Sequence, residues 1–577
     1  MFGKKQTVAD QLVEVLVQAG VQRIYGIVGD SLNSLSDAIR RSGTIEWVHV
    51  HNEEAAAFAA SAEAQLTGRL AVCAGSCGPG NTHLIQGIFD AHRSAAPVLA
   101  IASHIVSTEI GTGFFQETDP KRLFEQASHW AELVSSAEQM PRLARVGMQT
   151  AIGRRGAAVL VVPGDILAAE AAGETGEWRP VTARTISTPP AEVIDELAER
   201  INRAEKVAIF GGIGCADARD EVLRLAEVLS APVGHSLRGK ETLQYDNPYD
   251  VGMSGLLGYG ACYQASHEAD LLLLLGTDFP YRQFLPQKNT VQVDLDPSRL
   301  GRRTALEMGV AGDVGATIRA LLPKLDRKGR GFLDRMLGKH SAELDRVVEA
   351  YTHDIEHLSP IHPEFVARVL DEEAAGDAVF TADTGMCASW IARYITPNGR
   401  RRLLGSWVHG TMANALPQAI GAQMLDRDRQ VVSMSGDGGL AMLLGELLTV
   451  RTHRLPVKTV VFNNSSLGMV RLEMLVAGDP PFETDHESVD FAAIARGAGL
   501  HAVRVAKPAD LRGGLREVLD HPGPALLDVV TDPDALELPP HITKAEAGGF
   551  ALAMGRTVLS GGVGQIAHLA RANLRNL

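Results

Sequence analysis

The first part of the chain alternates short apolar runs, each ending in turn residues, with longer segments whose apolar residues recur at helical spacing. Short runs that are apolar at almost every position are typical of strands buried on both faces of a parallel sheet. The helical segments between them are long enough to cross from one parallel strand to the next. The pattern predicts a doubly wound α/β domain over residues 1–180, with strands RIYGIVGD, IEWVHVH, LAVCAG, APVLAIAS and GAAVLVVPGD.

Two further segments repeat this pattern after a linker. Residues 174–190 are rich in Pro, Thr and Gly and lack apolar periodicity, which favours a linker there. A second α/β domain is predicted over 186–338 and a third over 339–534, each with several short apolar strands. Residues 535–577 are helical in pattern and differ in composition. The predicted fold class is therefore α/β, with three doubly wound parallel-sheet domains and a C-terminal helical tail.

The composition agrees with a soluble multidomain protein. A chain of 577 residues exceeds what one hydrophobic core supports, and 45% hydrophobic residues with 58 glycines are usual for α/β proteins. The formal net charge of −14 would repel a phosphodiester backbone, so nucleic acid is not an expected partner. The five cysteines are odd in number and scattered, and no secretion signal is visible, so a reducing cytoplasm is expected.

Two polar turns in the third segment carry the strongest chemical signal. The strand QVVSMS ends at Gly436, Asp437 and Gly438, and the strand after the next helix ends at Asn463 and Asn464. This spacing is about one βαβ unit, so both turns should emerge side by side at the carboxyl edge of the sheet. A carboxylate and an amide oxygen suit Mg²⁺, and glycines at a helix start let a diphosphate approach closely. The pair predicts an anchor for a metal and a diphosphate.

This arrangement resembles the signature of the thiamine diphosphate-dependent enzymes. There the aspartate and the second asparagine bind Mg²⁺ with a main-chain carbonyl two residues on, which implies Asp437, Asn464 and Ser466 as metal ligands here. The family also uses a glutamate from another domain to hydrogen-bond the aminopyrimidine ring, and the motif NEEAAAFAA places it at Glu53. The resemblance implies cofactor contacts from the surrounding loops, at Gly436, Asp437, Gly438, Gly439, Asn464, Ser465, Ser466, Leu467, Gly468 and Met469.

Motifs along nearly the whole chain are similar to one branch of this family, the bacterial ubiquinone-linked pyruvate oxidases, or pyruvate dehydrogenases (quinone). They include GDSLN, AEAQLTG, LAVCAGSCGPGNTHLI, LRGKE, YDNPYDVGMSGLLG, HGTMANALPQAIGAQ and VFNNSSLGMV. The chain departs from that branch at His51-Asn52, where relatives carry Arg-His, and at Met469, where they carry an aromatic residue.

The branch implies further site residues. Met412 would be the apolar wedge that holds the cofactor bent, with Gly410 and Thr411 beside the pyrimidine. Catalytic and substrate contacts would come, besides Glu53, from two sides of the pocket, at Phe115, Gln116 and His83 and at Met469, Val470 and Glu473.

For the second segment the branch implies FAD. The glycine pair Gly212 and Gly214 lacks the third glycine of a dinucleotide fingerprint and is weak evidence alone. An acid at a strand end suits a ribose hydroxyl, and an arginine suits a diphosphate. The implied flavin contacts are Gly255, Leu256, Leu257, Gly258, Asp278, Phe279, Pro280, Tyr281, Arg282 and Asp296.

The implied function is oxidative decarboxylation of pyruvate to acetate and carbon dioxide through an enamine on thiamine diphosphate, with electrons passing through FAD to ubiquinone. A phosphate- and oxygen-dependent pyruvate oxidase and an acetolactate synthase-like carboligase are alternatives of the same architecture. A catalytically silent regulator is a third, but it would be expected to lack Glu53, Asp437 or Asn464, and all three are present.

The tail suggests a membrane partner. From Ala547 to Leu577 there is no Asp or Glu, in a chain of net charge −14. Basic and apolar residues separate onto two faces, which predicts a helix lying in the cytoplasmic face of the cell membrane, hinged from the helix before it. The alternative is a tail docked on its own subunit. The basic residues are Arg556, Arg571 and Arg575, the stripe is Ile566, Leu569, Ala570, Leu574 and Leu577, and the hinge is Gly561, Gly562 and Gly564. The resemblance also implies a homotetramer.

Overall fold

Three sheets, one within each of the first three predicted segments, organise the chain. The computed structural model describes residues 5–173, 175–183, 186–535, 544–559, 563–573 and 575. Each sheet is mainly parallel and has helices on both faces, so the predicted fold class is confirmed.

The first sheet has six parallel strands in the order β2-β1-β3-β4-β6-β5. Its central strands are buried at every position, as their unbroken apolar runs predict. The strands are β1 Arg23–Gly26, β2 Glu46–His49, β3 Ala71–Gly75, β4 Val98–His104, β5 Ala131–Leu133 and β6 Ala157–Pro163; the helices are α1 Val8–Gln18, α2 Asn33–Ser42, α3 Glu53–Thr67, α4 Pro79–Arg93, α5 Pro120–Leu123, α6 Met140–Arg154 and α7 Gly164–Ala168.

The second sheet has seven strands in the order β10-β9-β8-β7-β11-β12-β13, and β10 runs antiparallel to β9 as a short edge hairpin. The glycine pair Gly212 and Gly214 packs on Gly276 and Thr277, where a Cβ on Gly214 would lie 2.6 Å from the Gly276 Cα. These glycines therefore let two strand ends approach closely. The strands are β7 Val207–Gly211, β8 Val233–His235, β9 Asp250–Met253, β10 Tyr259–Gly260, β11 Leu271–Leu275, β12 Thr290–Asp294 and β13 Met308–Ala311; the helices are α8 Ala191–Arg203, α9 Arg219–Leu229, α10 Leu237–Leu243, α11 Cys262–Glu268 and α12 Val314–Leu321.

The third sheet has six parallel strands in the order β15-β14-β16-β17-β19-β18 and follows a connecting helix, α13 Gly331–Glu343. The strands are β14 Val379–Ala382, β15 Arg402–Gly405, β16 Val431–Gly436, β17 Lys458–Asn463, β18 His501–Val505 and β19 Ala525–Val530; the helices are α14 Pro363–Glu373, α15 Met386–Tyr394, α16 Ala415–Leu425, α17 Asp437–Met442, α18 Glu446–Thr452, α19 Gly468–Ala477, α20 Phe491–Gly497 and α21 Pro508–Asp520.

The described tail residues form two helices, α22 Lys544–Leu559 and α23 Val563–Ala572, packed on the third domain. Of the predicted tail stripe, Leu569 is 7% exposed and faces the chain's own surface. The hinge residues Gly561 and Gly562 and the stripe residues Leu574 and Leu577 lie outside the described residues. In the part of the chain that the structure describes, no helix is long and apolar enough to cross a membrane.

The alanine-rich helix α3 joins the first and third domains. It is buried between α4 of its own domain and α16 of the third. Both neighbours approach it through a glycine: Gly87 on α4 faces Ala57, and Gly421 on α16 faces the Ala59 carbonyl. A side chain at either glycine would overlap α3, so close helix packing here depends on small residues.

We expect Gly421→Ala to force α3 and α16 apart and to cost ~1–3 kcal/mol of stability, the usual range for overpacking. Gly338→Ala is the matched control, because Gly338 is exposed on α13 with no atom within 4 Å of its Cβ position; there alanine should stabilise by ~0.5–1 kcal/mol. Thermal unfolding followed by circular dichroism measures both. An unchanged or higher midpoint for Gly421→Ala would contradict this account of the packing.

Candidate active site

Asp437 and Asn464 meet at the carboxyl edge of the third sheet, as their spacing predicts. Strands β16 and β17 are neighbours in parallel register, with Gly436 opposite Phe462. The Asp437 carboxylate accepts a hydrogen bond from Gly438 N–H at 2.8 Å and another from Ser465 N–H at 2.6 Å. The two turns are thus locked together through the aspartate.

Glycines and two apolar side chains form a cradle around this carboxylate. A Cβ on Gly438 would lie 2.9 Å from Leu467 Cδ2 and 3.3 Å from Met412 Cε, and one on Gly468 would lie 3.1 Å from Asn464 Nδ2. Added side chains would fill this space, so the glycines leave room for a ligand. The structure therefore brings the predicted wedge, Met412, to the predicted metal and diphosphate anchor.

The donor set fits a magnesium diphosphate. Burial raises the pKa of Asp437, while the N–H groups that it accepts and nearby His486 act in the opposite direction. A buried carboxylate, the amide of Asn464 and the main-chain carbonyl of Ser466 are oxygen ligands of the kind Mg²⁺ prefers. The Asn464 Oδ1 accepts the Ser466 N–H at 3.1 Å, which holds this turn in shape.

A loop without a recognisable sequence motif packs against this anchor. Ser465 O accepts the N–H of His486 at 3.0 Å, Leu467 N–H donates to Thr484 O at 2.7 Å, and Ser466 Oγ donates to Asp485 at 2.8 Å. The ring Nε2 of His486 then lies 3.3 Å from Asp437 Oδ2. No spacing rule links His486 to Asp437 across the intervening helices, so the sequence offered no signal for it.

Glu53 is the first residue of α3, and its side chain is buried at the N-terminus of α4. It is 5% exposed, and its Oε2 lies 3.0 Å from His83 Nδ1. A Cβ on Gly80 would lie 3.0 Å from Glu53 Oε1, so this glycine lets the carboxylate approach. The predicted base and the predicted pocket histidine are therefore direct partners. Burial raises the pKa of the neighbouring Glu54.

Gln116 and Phe115 lie beside the same helix start. Gln116 has φ of +61°, a conformation that few non-glycine residues adopt, and its backbone carbonyl faces Gly78. Its Oε1 lies 3.5 Å from the thiol of Cys77. Phe115 is 76% exposed. The N-terminus of α4 therefore brings together Glu53, His83 and Gln116 of the same chain.

The departure at His51-Asn52 has a structural role in this chain. Asn52 caps α3 by accepting the Glu54 N–H at 2.9 Å. The backbone N–H of His51 donates to Glu446 of the third domain at 3.1 Å, and its ring Nδ1 lies 2.8 Å from Thr449 Oγ1. Glu446 is fully buried, and burial raises its pKa to about 7. This pair joins the turn that carries Glu53 to the domain that carries Asp437.

Three of the predicted flavin residues, Gly255, Phe279 and Tyr281, form an aromatic cluster. Gly255 has φ of +118° and packs on Phe279, whose ring contacts Tyr281 edge to face at 5.5 Å. Asp278 already pairs with Arg302 and Arg303, each at 3.0 Å. The main-chain carbonyls of Leu257 and Gly258 accept hydrogen bonds from Arg393 of the third domain, at 3.4 and 2.9 Å. Asp296 pairs with Arg299 at 3.2 Å.

Helix α19 links that cluster to the third-domain anchor. It begins at Gly468, next to the Asn464 turn, and carries Met469, Val470 and Glu473. The Glu473 carboxylate is close enough to Tyr281 to add to the rise that burial causes in the tyrosine pKa. The predicted substrate helix therefore begins at the third-domain anchor and carries a carboxylate that acts on a predicted flavin residue.

Three family models match the chain, one for each domain. The N-terminal TPP binding domain of thiamine pyrophosphate enzymes matches residues 6–123, the central domain 194–321 and the C-terminal TPP binding domain 383–529.

Three relatives illustrate the similarity. An uncharacterized 42.6 kDa protein of Pseudomonas amyloderamosa is 54% identical over 58% of this chain and 85% of its own length. The "Putative thiamine pyrophosphate-containing protein YdaP" of Bacillus subtilis (strain 168) is 35% identical over 95% of both chains. The large subunit of acetolactate synthase isozyme 1 of Escherichia coli (strain K12) is 30% identical over 92% of this chain and 94% of its own.

We expect Asp437→Ala to abolish tight binding of Mg²⁺ with thiamine diphosphate, because the metal loses its anionic ligand. Loss of a group that only hydrogen-bonds to a metal ligand lowers metal affinity by ~10–100-fold. Loss of the ligand Asp437 itself should lower it further. Asp485→Ala is the control, since that carboxylate bonds the Ser466 hydroxyl but is no predicted ligand. Calorimetric titration gives both affinities. Wild-type affinity in Asp437→Ala would overturn the anchor.

Proposed function

Because the chain belongs to the thiamine pyrophosphate enzymes, we propose that it oxidises pyruvate to acetate and carbon dioxide and passes the electrons through FAD to ubiquinone. The family is one of decarboxylases and carboligases, so cleavage or formation of a bond next to a keto carbon is the shared chemistry. The assignment to quinone-linked oxidation of pyruvate within this family rests on the residues around the site and on the tail.

The residues of the first and third domains have complementary roles in this proposal. Asp437, Asn464 and the Ser466 carbonyl would hold Mg²⁺ and through it the diphosphate. When bound, thiamine diphosphate supplies a nucleophilic ring carbon and a sink for the electron pair released on decarboxylation. Glu53 would share a proton with the aminopyrimidine, and its burial favours this because few waters compete for the carboxylate.

His83 and Gln116 would orient the substrate. His83 is held at 3.0 Å by Glu53 and its side chain is about half exposed, so its other ring nitrogen can face a keto acid. Gln116 is fixed by its left-handed backbone. Both residues thus lie at the helix start that holds the proposed base.

The flavin assignment is supported by the aromatic cluster and its position. Leu256 and Tyr281 are 39% and 37% exposed, which gives an apolar edge for a ring system. The carboxylate of Glu473 on α19 contributes to the raised pKa of Tyr281, which supports a flavin on this edge beside the proposed pyruvate pocket. Electron transfer from the decarboxylated substrate would then need no large movement of domains.

The tail is the observation that carries the membrane and quinone part of the proposal. Asp534 lies 2.6 Å from Arg471 on α19 and, through its other oxygen, 2.6 Å from His568 on α23. Its main-chain carbonyl accepts the Asn573 amide at 2.8 Å. The docked tail is thus joined through Asp534 to the predicted substrate helix, and we propose that it leaves this position for lipid on the cytoplasmic face of the membrane.

A homotetramer is part of the same proposal. Met442 and Leu448, on the two helices that follow the Asp437 turn, are 60% and 44% exposed. Val408, shortly before the wedge Met412, is 37% exposed. Exposed apolar side chains around a polar site favour an interface with a second copy of the chain.

Carboligation of two pyruvates to acetolactate is the second candidate function, and the acetolactate synthases aligned over nine-tenths of the chain favour it. The two candidates use the same first substrate. They differ in whether electrons leave the site and in the product.

Anaerobic addition of pyruvate to the purified enzyme with thiamine diphosphate, Mg²⁺ and FAD should bleach the flavin absorbance and give acetate. Glu53→Gln should keep cofactor binding and slow bleaching by ~10²–10⁴-fold, the range of proton-transfer catalysis. Acetolactate formed without bleaching would establish the carboligase instead. Wild-type rates in Glu53→Gln would remove this residue from the mechanism.

Deletion of residues 563–577 should abolish pyruvate-dependent binding to anionic vesicles and quinone reduction in them, while reduction of a soluble dye continues. His568→Ala removes the tail's bond to the Asp534 carboxylate but leaves Arg471 paired, so this variant should bind vesicles without pyruvate. Arg200→Ala is the control and should bind as wild type, because this arginine lies on α8 of the second domain and pairs with Glu196 of the same helix. Sedimentation with liposomes measures binding. Equal pelleting of the truncated and intact proteins would show that this tail is no membrane anchor.

A further inference from the structure

One buried carboxylate lies between the wedge and the metal anchor without belonging to either. Asp383 directly follows β14 and is 2% exposed. Its Oδ1 accepts the Ala415 N–H at 3.0 Å, and the N–H groups of Gly436, Asn414 and Ala413 face the same carboxylate. Burial raises its pKa to about 7, against the effect of these donors.

The two segments that meet at Asp383 are the ones that carry the proposed cofactor site. Ala413 directly follows the wedge residue Met412, and Gly436 directly precedes Asp437. The end of β14 is also tied to the wedge segment by two further bonds, from Thr381 Oγ1 to Ala415 O at 2.7 Å and from Asn414 Nδ2 to Ala382 O at 2.9 Å. The β14 end therefore holds the wedge segment in place.

The other carboxylate oxygen packs against the start of α17. A Cβ on Gly439 would overlap Asp383 Oδ2, so the helix that begins at Asp437 sits directly on this side chain. A residue larger than glycine would push the helix start away from β14. The wedge and the anchor are thus placed relative to each other by contacts to one aspartate.

We propose that Asp383 is the positioning residue that sets Met412 against the Asp437 turn, so that the apolar support and the metal end of the cofactor site keep one fixed separation. The inference rests on the proposed binding of thiamine diphosphate. A displacement of about 1 Å at a reacting group can cost ~10²-fold in rate, so a residue that touches no ligand can still control the reaction.

Asp383→Asn tests the proposal, because the amide keeps the shape but turns one acceptor into a donor that faces backbone N–H groups. We expect the dissociation constant of thiamine diphosphate, titrated with Mg²⁺, to rise about tenfold or more. At saturating cofactor, kcat should fall more than KM for pyruvate changes, and the near-ultraviolet dichroism of the bound cofactor should differ from wild type.

Asp371→Asn is the matched control. Asp371 lies in the same domain and also holds a backbone N–H, that of Thr396 at 2.8 Å, together with Arg401. The Asp371→Asn variant should have a lower unfolding midpoint but unchanged cofactor affinity and dichroism. If Asp383→Asn behaves like this control, Asp383 only stabilises the domain and the proposal is wrong.

Gly439→Ala reaches the same contact from the other side and decides the question if Asp383→Asn does not fold. It should weaken cofactor binding and change the dichroism in the same direction. In the double variant the losses should be less than additive, because both changes act through one contact. Wild-type affinity and dichroism in Gly439→Ala would overturn the proposal. Failure of the wild-type protein to bind thiamine diphosphate would instead overturn the proposed function.

Discussion

The packing of helix α3 against α16 is the contact on which the rest of the structure depends. Its alanines are fully buried, and glycines on both neighbouring helices allow backbones to approach. Small residues bury less apolar area than large ones, so each side chain contributes little free energy of burial. The stability of this contact therefore depends on close packing of the two helices. That fit fixes the helix whose first residue is Glu53, and with it the position of the proposed base relative to the third domain.

The sequence was sufficient for features set by strand and helix periodicity. Asp437 and Asn464 could be placed side by side because parallel strands in a βαβ unit end at the same edge. Glu53 could be placed at a helix start because the strand before it and the alanine run after it have different periods. These are local patterns, and the parallel sheet topology brings the residues that they identify to the site.

Contacts between segments distant in sequence could not be predicted in this way. His486 reaches Asp437 through a loop, and Asp383 meets the wedge segment only because β14 and β16 are neighbours. The second domain shows the same limit, because Asp278 is a predicted flavin contact and yet pairs with two arginines that follow β12. Periodicity determines which residues reach an edge, whereas side-chain partners depend on loop paths that it does not encode.

The shared carboxylate of Asp534 has a thermodynamic consequence. It holds Arg471 of α19 with one oxygen and His568 of the tail with the other. Ligand binding beside α19 and release of the tail would both change this contact, so they would have a coupling free energy. Such coupling is reciprocal. If ligand in the proposed site loosens the tail by some factor, transfer of the tail to another surface must tighten ligand binding by that same factor. A lipid surface would then act as an effector of pyruvate affinity, and pyruvate as an effector of lipid affinity, with one number describing both.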